Sequence, residues 1–339
     1  MDTMTLRPHL RILVTPYCNL NCTFCKLGGE GPFKEVEKNM TPEEIEAITR
    51  IGVDAGFRHV KITGGEALAR PDIIEIVKRL AGIKGIENLN LGTNGILVTK
   101  YCEDLSAAGL TSINISLNTL NDKLFKKMTK SKEKVSKILD GLKMCHDLGL
   151  NTTINTVIMR ENKSEVFDIL EAGKKICSVV KFMELNNLLN YDYWEKEYVP
   201  LTEIENMLIK RITKTGIKKP WDGIGVPMGE FILDNGTRVW SLNPRNGVFY
   251  VDYCRKKCIN YPCADGIFAL RITHNGYLRR CFFPIEEPDQ SNVLDLLREK
   301  KINVIKDILN KYFNEFSAAR IEHIWKPEIE KEKHVKYGI

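Results

Sequence analysis

Between residues 9 and 186, short β-branched runs alternate six times with amphipathic helical segments, and no other feature constrains the fold as strongly. The expected strands are 10–15, 59–65, 88–95, 112–118, 151–159 and 179–186. Helices are predicted from residue 41, over "PDIIEIVKRLAG", and at 98–109, 121–129, 132–148 and 163–176. The first has Thr41 as N-cap, Pro42 at the first helical position and Glu44 to close a capping box. Repeated strand–helix units imply a parallel sheet with right-handed crossovers. Six units are two short of a closed eight-stranded barrel. The expected fold is therefore α/β, an open, partial (β/α)6 TIM-like barrel over residues 8–190. In barrels the chemistry collects at the C-terminal ends of the strands. The distinctive motifs all fall there: Cys18–Cys25, Gly64–Glu66, Thr93–Gly95 and Ser116–Asn118.

After residue 190 the pattern changes to polar loops and short strands ("FIL", "RVWSL", "VFYVDY", "ALRIT", "YLRRCFF"), then a highly charged helical tail from 291. Residues 191–339 thus read as a smaller second unit. With 43% hydrophobic and 28% charged residues, the chain is globular rather than disordered. Its net charge of +6 suits a small anionic ligand and is too weak for a nucleic-acid footprint. No apolar run approaches the roughly 20 residues that span a bilayer. The opening "MDTMTLRPHLRILV" interleaves basic and apolar residues, unlike a secretory signal. The expectation is a cytoplasmic protein with no nucleic-acid or membrane partner.

Ten cysteines are many for such a chain. Cys102, Cys145 and Cys177 stand singly within helical or strand patterns and read as buried core thiols. The other seven cluster as Cys18, Cys22, Cys25 and as Cys254, Cys258, Cys263, Cys281. Clustered cysteines without a secretory signal more often bind metal than form disulfides. Three thiolates at x3 and x2 spacing can wrap one corner of a cubane cluster, leaving the fourth iron without a protein ligand. Structural zinc wants four closed ligands and a disulfide framework an even number, so both fit the triplet poorly.

Cys-x3-Cys-x2-Cys with Phe24 before the last cysteine, followed by "GGEAL" at 64–68, resembles the radical S-adenosylmethionine (SAM) family. The resemblance implies a [4Fe–4S] cluster on Cys18, Cys22 and Cys25, with the methionine end of SAM on the open iron. Reductive cleavage would then give a 5′-deoxyadenosyl radical that abstracts a hydrogen atom from a small-molecule substrate. It implies an external electron donor of the flavodoxin or ferredoxin type. Gly64 and Gly65 would admit the methionine moiety, and Glu66 would accept from its amine. Ser116 and Asn155 would contact its carboxylate and the ribose, and Phe24 would lie beside adenine.

Cys263 and Gly276-x4-Cys281 resemble the auxiliary-cluster motif of twitch and SPASM extensions, with Cys254 and Cys258 just upstream. This implies a second [4Fe–4S] cluster, although four cysteines at these spacings also suit zinc. Gly276 reads as the turn of a hairpin, "THNGYL". Over residues 8–190, blocks such as "LRILVTPYCNLNCTFC" and "VKITGGEALARPDI" are similar to the GTP 3′,8-cyclases of molybdenum-cofactor biosynthesis. Arg11, Lys61, Lys181 and Arg271 are the cations expected to hold substrate. Departures from that family are Gly92, Thr153 and Ala269 at places of its polar or basic residues, Pro16-Tyr17 before the first cysteine, and Lys26–Gly29 after the last. The leading expectation is hydrogen abstraction from a small polar, nucleoside- or nucleotide-like substrate. The alternatives are modification of a ribosomal peptide, GTP cyclisation itself, and a non-catalytic metal protein.

Overall fold

A computed structural model of the chain describes residues 7–25, 39–187, 191–218, 226–282 and 292–337. The Lys26–Gly29 departure lies outside the described residues. The first six strands are β1 (His9–Leu13), β2 (His59–Thr63), β3 (Asn88–Thr93), β4 (Ser112–Ser116), β5 (Asn151–Ile158) and β6 (Val179–Glu184). They pair in parallel in chain order, as their spacing predicts. Helices separate them, the first being Pro42–Asp54. Its capping box is formed: Thr41 Oγ1 accepts from the Glu44 amide at 3.2 Å, and Glu44 Oε2 accepts from the Thr41 amide at 2.8 Å.

Each strand alternates apolar and polar residues. Leu10, Ile12, Val60, Ile62, Leu89, Leu91, Ile113 and Ile115 are buried in the core, and their polar neighbours face the other way. Paired positions share a face, so Arg11, Lys61 and Asn90 form one row across β1, β2 and β3. Asn114 pairs with Thr153, and Ser116, Asn155 and Lys181 make another row across β4, β5 and β6. The hydrophobic core thus lies between sheet and helices, while these inward-facing rows of the first six strands are polar. Barrel interiors are usually filled by branched apolar side chains.

The later strands are β7 (Ile212–Lys218), β8 (Met228–Leu233), β9 (Arg238–Leu242), β10 (Val248–Tyr250), β11 (Ala269–Ile272), β12 (Leu278–Arg279) and β13 (Arg320–Glu322). The sheet runs β12-β11-β1-β2-β3-β4-β5-β6-β9-β8-β7. Two strands from beyond residue 190 therefore continue the parallel run, β11 beside β1 and β9 beside β6. Antiparallel β12, β8 and β7 then end it at the two sides. The expected hairpin is β11–β12: Gly276, at φ +87°, turns it, and its amide bonds to Thr273 O at 2.9 Å. The stretch read as loops also contains helices Tyr191–Glu197, Leu201–Leu208 and Asp252–Lys257, the last bearing Cys254. The tail includes helix Ile302–Ser317, whose Phe313 ring meets Phe57 edge-on at 5.2 Å, and helix Glu328–Tyr337.

Candidate active site

The cysteine loop follows β1 and is tied down at both ends. Thr15 O accepts from the Gly65 amide at 2.8 Å and Tyr17 O from the Glu66 amide at 2.7 Å. Further along, the Asn21 and Thr23 amides bond to Thr129 O (3.0 Å) and Met128 O (2.8 Å) at the end of helix Asp122–Thr129. The Leu20 amide points at Cys18 Sγ from 3.4 Å and Asn94 Nδ2 does so from 3.8 Å. Cys18 and Cys22 are half-buried and Cys25 is exposed. Three thiols on one loop, with no fourth cysteine in that loop, are a donor set that leaves one iron of a four-iron cluster without a protein ligand.

At Gly64 and Gly65 the chain passes directly against the cysteine loop. A Cβ on Gly64 would lie 2.4 Å from Thr15 O, and one on Gly65 would lie 2.3 Å from Tyr17 O. What these glycines admit is the backbone of the cysteine loop itself. Glu66 likewise acts inside the protein. Its Oε1 accepts from the Leu68 amide (2.9 Å) and Thr93 Oγ1 (2.8 Å), and its Oε2 from the Asn94 amide (2.7 Å). The side chain is buried, which pushes its carboxyl above the usual range against those three donors. It braces β2 to the end of β3, and so to Asn94.

One cavity of about 370 Å³ opens where the loop meets the barrel interior. Phe24 and Cys25 line one part, Arg11, Lys61, Asn155 and Lys181 another. Asn155 Oδ1 is buried without a hydrogen-bond partner among the described residues, an acceptor shaped for a ligand. Gly64, Gly65, Glu66 and Ser116 stand at the same end of the barrel outside the cavity wall, Ser116 paired with Asn155. Lys61 passes over Gly92, where a Cβ would meet its Cε at 3.2 Å.

Arg271 is not brought into the cavity. It is fully buried, its guanidinium lies 3.9 Å from the Phe282 ring centroid, and its Nη2 meets Asp265 Oδ2 at 3.5 Å. Asp265, Phe268 and Phe282 take the wall position in front of it. Asp265 also accepts from the Phe282 amide at 3.2 Å, and burial pushes its carboxyl upward. Asp265 and Asn114, another wall residue, were not among the sequence candidates. Asn114 was legible in the period-two alternation of "SINIS"; Asp265 lies in a loop and had no such signal.

The second cluster is also assembled. Cys254, Cys258, Cys263 and Cys281 line one small pocket with Tyr250 and Arg280. Cys254, Cys263 and Cys281 are buried and Cys258 half-buried. Burial pushes Cys254 up to about 11 and Cys263 well above its ordinary value. The Gly266 amide points at Cys263 Sγ from 3.3 Å. The four thiols thus share one pocket. Among the described residues, no three His, Cys, Asp or Glu side chains close on a single point as one ion would require. Of the isolated cysteines, Cys102 and Cys145 are buried in contact with each other, whereas Cys177 is only half-buried, donating to Gly173 O at 3.2 Å.

Residues 12–173 match the model of the Radical SAM superfamily, and with the relatives below this makes the chain a member of that superfamily and an enzyme of the radical SAM type. Membership brings a [4Fe–4S] cluster and SAM as cofactors. The chain is 32% identical over 295 residues to the GTP 3′,8-cyclase of Alkaliphilus oremlandii, covering 86% of this chain and 84% of that one. It is 30% identical over 294 residues to the probable GTP 3′,8-cyclase of Methanococcus aeolicus, covering 85% and 88% respectively. In fold it is similar to Streptococcus suis SuiB bound to S-adenosylmethionine, with a TM-score of 0.61 at 16% identity over 86% of this chain. The chain spans 66% of SuiB, just under two thirds of its length. It is also similar to anSMEcpe with bound AdoMet, with a TM-score of 0.57 at 15% identity, covering 90% of this chain and 82% of that one. No helix among the described residues is long and apolar enough to cross a membrane.

Proposed function

We propose that Cys18, Cys22 and Cys25 hold the [4Fe–4S] cluster and that the enzyme takes a hydrogen atom from a small polar, nucleoside- or nucleotide-like substrate in the barrel chamber. One observation carries this reading: the loop residues Phe24 and Cys25 share a cavity with Arg11, Lys61, Asn114, Asn155 and Lys181 of the barrel strands. When bound, the cluster and SAM supply the 5′-deoxyadenosyl radical; a flavodoxin- or ferredoxin-like protein is the proposed electron donor. Arg11, Lys61 and Lys181 attract an anionic group, while Asn114 and Asn155 orient the ligand through amide hydrogen bonds. Phe24, Phe268 and Phe282 keep water from the chamber. Ser116 stands beside Asn155 to support a SAM contact.

The wall nearest β11 differs from the cationic side of the chamber. It offers Asp265, its charge balanced by the buried Arg271, where Ala269 has no polar side chain. Asp265 there gives a ligand a hydrogen-bonding carboxyl group in place of a free cation. GTP 3′,8-cyclisation stands as the second reading, on the strength of the similarity to the cyclases over most of the chain. The four C-terminal cysteines are proposed to hold an auxiliary [4Fe–4S] cluster with no open iron, which would conduct electrons or tune the site.

The test is anaerobic reconstitution, reduction with SAM, and chromatography for 5′-deoxyadenosine. The expected result is 5′-deoxyadenosine from the wild type and none when Cys18, Cys22 and Cys25 are all replaced by Ala. Undiminished cleavage in that variant defeats the assignment. Cyclisation of GTP by the wild type would establish the second reading in place of the first.

A further inference from the structure

We propose that Lys333 is a positioning residue for the second cysteine cluster: its ammonium clamps the backbone between Cys258 and Cys263, so that the C-terminal helix preorganises that thiol set. The inference rests on the reading that these thiols share one metal group.

Lys333 lies on helix Glu328–Tyr337 and is 7% exposed. Lysine is rarely buried so deeply unless it is paired. Its Nζ donates to Asn260 O at 2.6 Å, to Pro262 O at 2.6 Å and to Glu330 Oε1 at 3.3 Å. An ammonium has three donors, and these bonds use all of them. Both carbonyls belong to the four-residue connection between Cys258 and Cys263. The amide of Cys263, at its far end, bonds to the Tyr250 hydroxyl at 3.2 Å.

Glu330 anchors the clamp on its other side. It is buried like Lys333, and its oxygens accept from Trp325 Nε1 at 3.1 Å and Asn187 Nδ2 at 3.4 Å. Asn187 directly follows Asn186, a wall residue of the substrate chamber. The helix is further attached by the His334 ring, stacked on Tyr191 at 4.2 Å and 8°. Burying an ion pair is costly and is repaid only when its remaining donors and acceptors are satisfied. Here the Lys333 donors are satisfied by the Asn260 and Pro262 carbonyls, and the Glu330 acceptors by Trp325 and Asn187, which makes the shape of the 259–262 connection a condition of that helix's docking. The thiols are thereby held in place before any metal arrives, and this lowers the ordering cost of binding it.

The experiment uses the full chain. In the metal-free protein, labelling rates of individual cysteines by a thiol reagent are followed by mass spectrometry in the wild type, Lys333→Met and Lys333→Arg. Lys333→Met keeps the apolar stem and removes all three donors. In that variant Cys258 and Cys263 should label roughly tenfold faster, with Cys18, Cys22 and Cys25 unchanged. After anaerobic reconstitution its iron should fall from about eight to about four per chain, with Lys333→Arg partly restoring both readouts. Wild-type labelling and iron in Lys333→Met would overturn the proposal. So would faster labelling of all ten cysteines with a lower Tm, because that marks a general packing role. If the wild type binds one zinc beside about four iron, the auxiliary-cluster reading fails, while the labelling result still decides the clamp.

Discussion

The two cysteine sets of this protein are built in opposite ways. Cys18, Cys22 and Cys25 come from one loop of eight residues at the mouth of the barrel, with Cys25 exposed and lining the chamber. Cys254, Cys258, Cys263 and Cys281 come from a helix, a loop and the chain beyond β12, and three of the four are buried. A metal group that must meet a second molecule needs a ligand set open on one side. A group that only passes electrons is better sealed, because burial and solvent exclusion set its potential. On the proposed assignment, this difference in exposure matches a working site in the open set and a supporting one in the buried set.

The largest effect should come from the open set. Replacing Cys18, Cys22 and Cys25 by Ala should remove 5′-deoxyadenosine formation entirely, whereas replacing Cys254 and Cys263 should cost iron first and leave uncoupled SAM cleavage measurable. Equal loss in both variants would break the distinction.

Next come the glycines under the open loop. Gly65→Ala puts a Cβ 2.3 Å from Tyr17 O, a backbone atom that moves only with the loop. We expect a destabilisation of about 3 kcal/mol by denaturant unfolding, with iron lost from the first site and the second site retained.

Glu66→Gln should be milder, about 1–3 kcal/mol, because the new amide must aim a donor at one of the N–H or O–H groups that Glu66 now accepts. Its pH dependence checks the cause. A carboxyl whose folded pKa is raised contributes its full stability below the unfolded value of about 4.3 and loses it as pH rises through the folded value. The wild type should therefore lose this contribution above about pH 4.3, and Glu66→Gln should lack that component. An identical pH profile in the two proteins would refute it.

The smallest effect concerns the chamber. Gly92→Thr brings a Cβ to 3.2 Å from the Lys61 Cε, close enough to redirect a flexible side chain without unfolding anything. Stability should change by less than about 1 kcal/mol, while ligand affinity measured by calorimetry shifts several-fold. Unchanged affinity would remove Lys61 from the binding wall.

Much of this was legible in the residues. The six strand–helix units, the capping box at Thr41 and the hairpin at Gly276 were read from local signals, and local signals govern such elements. The positions of β9 and β11 were not legible, since short strands after long irregular stretches carry no mark of which partner they will join. The same holds for helix Asp252–Lys257, which is too short for a periodic signature. At the site, Arg11, Lys61, Asn155 and Lys181 were picked from the sequence and meet in the cavity. Arg271 was picked with them, but a stacked phenylalanine and a buried aspartate claim its guanidinium.

The cysteine triplet is set locally: thiols at x3 and x2 spacing lie within one loop, so nothing distant is needed to bring them together. The same holds for the barrel, because strand and helix periodicities are local. Which cations face the chamber, what Gly64, Gly65 and Glu66 pack against, and how Lys333 reaches a loop about 70 residues away emerge only once the chain is folded. Those outcomes depend on which groups compete for each charge after folding, and a linear pattern does not record that competition.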